Sequence, residues 1–236
     1  MSIQRVAITF AIFTILMAFA LGSGPIVRPA TTRSDTFAII VTGDGGWRAI
    51  DQEIADVLND NGVSVVGLSA PEFLAERKTP AEASRTLEGM IRKYSAEWHR
   101  PRVILVGYSR GAGVIPFMVS RMSAETRARI AAIALVGLDP AIDFKSSPKA
   151  LLWKSADELT IPVRPELRKL QGDRVLCIAG RRDEDAICRT LPPSLATTIL
   201  LPGDHHLNGH YRGLAEAIVH AANVRTASRV ALGPTR

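Results

Sequence analysis

Six short apolar runs, rich in β-branched residues, punctuate the chain: Phe37 to Thr42, Val63 to Leu68, Val103 to Gly107, Ile130 to Gly137, Arg174 to Ala179 and Thr197 to Leu201. Segments such as FAIIV, VILVG and IALVG are continuously apolar. They lack the period-two alternation of a strand with one wet face, so they predict strands buried on both faces. Helical patterns stand between them. Asp51 to Asn59 repeats apolar residues at Ile54, Val57 and Leu58, and Asn61-Gly62 supplies left-handed residues to end it. Thr79-Pro80-Ala81-Glu82 is a capping box with proline at the first helical position, predicting a helix to about His99, where Pro101 forces the exit. The last pattern, Tyr211 to Ala222, puts Leu214, Ala217, Ile218 and Ala221 on one face. Strands alternating with helices predict an α/β fold: a mostly parallel central sheet of about six strands with helices on both faces. Asp139 to Gly172, rich in Pro, Lys and Ser, is the least regular stretch and reads as a cap or insertion.

The amino terminus follows another rule. Arg5 precedes the apolar run Val6 to Leu21, and Ala18-Phe19-Ala20 has small residues at signal-peptidase spacing. The expected organisation is a signal peptide over 1–22, a linker over 23–34, one domain over 35–225 and a tail over 226–236. The run is shorter than the ~20 residues of a comfortable membrane span, which makes an uncleaved anchor the second choice. Export would place Cys177 and Cys188, the two cysteines, in an oxidising compartment, and a disulfide between them is expected.

The net charge of +6 changes the picture little. Its basic residues are scattered, without a like-charge tract or interleaved aromatics, which argues against a nucleic-acid groove. No ligand spacing for a metal is found, and no cofactor is expected.

Candidate chemistry lies where the predicted strands end. Gly107-Tyr108-Ser109-Arg110-Gly111 fits G-x-S-x-G between a buried strand and a helix, the context of a nucleophile elbow. A serine hydroxyl needs an imidazole to take its proton and a carboxylate to orient that imidazole. Asp183, with Asp185 as competitor, follows the fifth predicted strand, and His205, with His206 as alternative, follows the sixth. In a parallel sheet such loops gather at one edge. His99, His210 and His220 fall in or beside predicted helices and read as packing or surface residues. Gly43-Asp44-Gly45-Gly46-Trp47 follows the first strand, where backbone N–H groups at Asp44 and Gly45, with that of Arg110, would form an oxyanion hole.

Together GDGGW, GYSRGAG, GRRDEDAIC and GDHHL, over roughly Phe37 to Asn223, resemble the bacterial virulence family VirJ and the carboxyl-terminal domain of the related AcvB proteins. The resemblance implies an α/β-hydrolase in the bacterial periplasm, and AcvB-type members look like hydrolases of lysyl-phosphatidylglycerol. It places the nucleophile on Ser109, the acid on Asp183 and the base on the His205-His206 pair, and its pattern includes Cys188. Leu207 departs from it, standing where an aromatic residue often follows the histidine. The expected activity is hydrolysis of an aminoacylated phospholipid at a membrane surface through an acyl-enzyme. Trp47, Glu184 and Asp185 are expected to contact the substrate, and these two acids, with Asp44, could pair with its ammonium groups. Two alternatives stand beside it: an esterase or thioesterase on another substrate, and an accessory factor of type IV secretion that acts by binding.

Overall fold

The computed structural model describes residues 24–32, 34–146 and 159–223; the expected signal peptide and the tail lie outside them. Seven strands form the main sheet: β1 (Ile26–Arg28), β2 (Thr36–Val41), β3 (Ser64–Leu68), β4 (Arg102–Tyr108), β5 (Ile130–Val136), β8 (Val175–Gly180) and β9 (Thr197–Leu201). Their order is β1-β3-β2-β4-β5-β8-β9, and the last six run parallel. These six are the predicted strands. A ribbon of β6 (Ala141–Ile142) and β7 (Ile161–Pro162) lies within the irregular insertion, of which 147–158 are outside the described residues.

Strand β1 corrects the reading of 23–34 as a linker. It pairs antiparallel with β3, Val27 opposite Val66, and is tied down by an Arg28–Asp56 ion pair and by Asn59 Nδ2 donating to the Arg28 carbonyl at 3.2 Å. Three half-exposed residues show no sequence period. The free edge of β3 supplies their register.

The helices are α1 (Ala49–Asp60), α2 (Ala70–Phe73), α3 (Pro80–Trp98), α4 (Arg110–Val119), α5 (Ala124–Arg127), α6 (Arg164–Arg168) and α7 (Tyr211–Ala222). Helix α3 starts on its capping box: Thr79 Oγ1 accepts from Glu82 N–H at 3.2 Å, and the Glu82 carboxylate accepts from Thr79 N–H at 2.7 Å. It stops at His99 in the left-handed region. Successive residues of β2 feed opposite layers. Phe37, Ile39 and Val41 pack with Leu87, Ile91 and Ile115 of α3 and α4, whereas Ala38 and Ile40 pack with Ile54, Leu58, Leu214 and Ile218 of α1 and α7. A strand sealed on both faces has no period-two signal, which is why the runs are continuous.

Candidate active site at the carboxyl edge of the sheet

Four loops leave the carboxyl ends of β2, β4, β8 and β9 on the same edge. Ser109 follows β4 at the start of α4 with φ 52° and ψ −113°, a conformation that costs a non-glycine residue about 1–3 kcal/mol. Its flanks must be bare. A Cβ on Gly107 would stand 2.5 Å from the Gly111 carbonyl carbon, and one on Gly111 would stand 2.0 Å from the Val41 carbonyl oxygen. The two glycines of the motif let the chain turn this sharply against β2.

Ser109 opens on a cavity of about 570 Å³ that is also lined by Tyr108, His205, His206, Arg48 and residues 43–46. His205 Nδ1 is 3.0 Å from Oδ2 of Asp183, whose side chain is only 3% exposed. The structure therefore brings Asp183, not Asp185, to an imidazole, and the imidazole is that of His205. Its ring lies on Gly137, where a Cβ would come within 2.8 Å of Cε1. His206 turns elsewhere: its Nδ1 is 2.8 Å from the Tyr108 hydroxyl. The same hydroxyl lies 3.4 Å from the His205 carbonyl oxygen, to which it can donate, and burial raises the Tyr108 phenol above its ordinary value, so it stays protonated.

The residues placed around the oxyanion sort differently. Gly43 abuts Ser109, a Cβ there lying 3.4 Å from the serine Cβ, and Gly46 N–H closes a turn on the Gly43 carbonyl at 3.1 Å. Gly45 lines the cavity, and Arg110 N–H is the first of its helix and has no intrahelical acceptor. The Asp44 carboxylate, expected to pair with a substrate amine, is instead held by Arg110 Nε and by Ser146 Oγ, the latter at 2.8 Å. A buried guanidinium already neutralises it.

Trp47 does not line the Ser109 cavity. It borders a neighbouring cavity, because Gly67 of β3 offers its ring a seat: a Cβ on Gly67 would be 2.4 Å from Trp47 Cζ3. Glu184 and Asp185 are exposed on the Asp183 loop and do not line the cavity. Asp139, just past β5, was overlooked. Burial raises its carboxyl above the usual range against the pull of His205, while Asp183 and Asp185 push it further up. Its position after a strand, the criterion that selected Asp183, was the available signal. The expected disulfide joins Cys177 of β8 to Cys188 and closes the loop that carries Asp183. Among the described residues, no group of three or more His, Cys, Asp or Glu could hold a metal ion.

The sequence profile of the family described as "Bacterial virulence protein (VirJ)" matches residues 35–226. The chain belongs to the VirJ family. No curated protein matches it significantly in sequence. Among solved structures, this VirJ-family chain is similar to MenH from S. aureus (TM-score 0.62, 11% identity, covering 86% of this chain and 100% of that one). It is also similar to esterase Pf2001 from Pyrococcus furiosus (0.60, 14%, 88% and 92%) and to Est1E from Butyrivibrio proteoclasticus (0.58, 12%, 85% and 100%). At such identities the likeness is one of architecture, and the VirJ-family chain has the α/β-hydrolase fold.

Proposed function

We propose that the protein is a periplasmic serine hydrolase that cleaves the aminoacyl ester of a phospholipid, foremost lysyl-phosphatidylglycerol. What supports this reading above all is the His205–Asp183 pair opening on the same cavity as the strained Ser109. Asp183 holds the His205 ring with Nδ1 protonated, leaving Nε2 to accept the Ser109 proton. Ser109 Oγ then attacks the ester carbonyl, and backbone N–H groups at Arg110 and the 43–46 loop stabilise the oxyanion. His205 returns the proton to the departing glycerol oxygen. A water molecule repeats the sequence on the lysyl-enzyme and releases lysine. Loss of one oxyanion donor typically slows such a step by a hundredfold or more.

The substrate reading rests on the likeness to AcvB-type proteins; Glu184 and Asp185, exposed on the loop of the Asp183 that holds His205, are acids available to a head group with two ammonium groups. The apolar run over 6–21 and the disulfide support export, since disulfides are rare in reducing compartments. Among the described residues no helix is long and apolar enough to cross a membrane. The surplus of basic residues favours approach to an anionic membrane, each nearby cation contributing about 1 kcal/mol. Purified protein should release lysine from lysyl-phosphatidylglycerol vesicles, with Ser109→Ala at least a thousandfold slower. A wild-type rate no higher than that of the variant overturns the proposal.

Membership in a family described as a virulence protein favours a second reading, a type IV secretion accessory that acts by binding. Secretion that is intact with Ser109→Ala and lost with a surface variant would favour it.

A further inference from the structure

A second cavity, of about 680 Å³, adjoins the first and takes no part in the chemistry above. Its walls are mostly apolar: Ile26, Trp47, Leu68, Phe73 and Met90 line it beside Ser69 and Thr86, and the Trp47 ring is seated on Gly67. The exposed Glu72 is its one charged lining residue. Gly45 and Gly46 line both cavities, so the groove meets the Ser109 chamber at the β2–α1 loop. Arg48 stands at that junction. Its side chain lies over Gly45, with Nε 3.0 Å from where a Cβ would be, it borders the Ser109 chamber, and it makes no ion pair among the described residues. Lys78 adds a second cation nearby, 5.4 Å from the Phe73 ring centroid.

Reaction centre, unpaired cation and apolar groove thus follow one another along a single path. A phospholipid esterified on its head group has the same order: ester, phosphodiester, acyl chain. Gly24, the first described residue, also lines the groove, and the apolar run over 6–21 precedes it in sequence. We propose that this groove receives an acyl chain of the phospholipid substrate and that Arg48 pairs with its phosphodiester, an assignment that rests on reading the Ser109 chamber as an ester-hydrolysing site. Water is excluded from the groove as the chain enters, and each buried methylene should strengthen binding about fourfold.

Binding can be tested apart from catalysis. Full-length Ser109→Ala protein is titrated with micelles of phosphatidylglycerol brominated along its acyl chains, and the Trp47 fluorescence is taken as the difference from the same protein carrying Trp47→Phe. That component should be at least half quenched, and Met90→Arg should weaken the effect tenfold or more. An unquenched Trp47 overturns the proposal. Quenching that appears only after removal of residues 1–22 also overturns it, and gives the groove to the chain's own apolar run. In turnover, Arg48→Gln and Met90→Arg should each lower the ratio of kcat/KM on lysyl-phosphatidylglycerol to that on p-nitrophenyl acetate at least tenfold. An equal fall on both substrates refutes the groove assignment and leaves the serine-hydrolase reading intact. A wild-type protein inactive on both substrates removes that reading, while the quenching result still decides whether the groove binds lipid.

Discussion

At the scale of single residues, two positions give sharp tests. Gly137 carries the His205 ring on its bare Cα at φ 61°, so Gly137→Ala both strains the backbone and pushes against Cε1. A displacement of about 1 Å at a catalytic group can cost about a hundredfold in rate, and kcat should fall by that order while the far-ultraviolet spectrum is retained. Asp51 is the second. It is fully buried at the start of α1, its Oδ2 accepts from Arg48 N–H at 3.0 Å and its Oδ1 has no partner, and desolvation lifts its pKa from 3.8 to about 6. Below pH 4 the carboxyl is protonated whether the chain is folded or not, and folding bears no cost. Between pH 4 and 6 the unfolded chain releases the proton first, so stability falls as pH rises, by up to about 3 kcal/mol above pH 6. Asp51→Asn, whose amide oxygen can keep the Arg48 bond, should melt higher than wild type at pH 8 and no higher at pH 4. Equal shifts at both pH values would contradict this account.

Residues also show how far sequence reasoning reached into the site. Ser109, Asp183 and His205 could be located because each follows a recognisable strand, and the sheet alone brings such positions together. The choice between His205 and His206 was not legible, since it depends on Tyr108 capturing the second ring. Which cavity Trp47 borders was not legible either, since only the pairing of strands shows Gly67 beneath its ring. Arg48 drew no attention for a related reason: a lone exposed cation has no sequence signature until its neighbours are known.

Among elements, the loop between β8 and β9 is held at several points. Ile187 N–H donates to the Leu138 carbonyl at 2.9 Å, Arg182 N–H donates to the Gly203 carbonyl at 2.8 Å, and the disulfide closes the loop 11 residues apart. Cross-linking a loop of that size removes about 3 kcal/mol of unfolded-state entropy. Replacing both cysteines with alanine should lower the melting temperature by about 6–12 °C for a domain of this size, and so should reductant acting on the wild type. Calorimetry of the variant with and without reductant checks this: reductant should shift the wild type alone.

For the whole molecule, the parallel sheet was readable because strands sealed on both faces need uninterrupted apolar residues, and its helices because caps such as Thr79 to Glu82 are local. Strand β1 escaped detection, being too short for any period and specified by its partner. That origin gives a test. Removing residues 1–28 exposes the backbone donors and acceptors of β3 along a free edge, which invites pairing with other chains. The truncated protein should form oligomers by size-exclusion chromatography, whereas one beginning at Gly24 should not.

The seat of His205 has a consequence for how the protein can change. Peptide backbone has no rotamers, so the ring inherits the stillness of β5 instead of the restlessness of surrounding side chains. If the chamber hydrolyses esters as proposed, Arg48, Ile50 and Tyr211, on its other walls, can vary and retune the substrate without moving that ring. A lineage built this way would explore new substrates by drift at its walls while position 137 stays glycine, because any side chain there moves the ring.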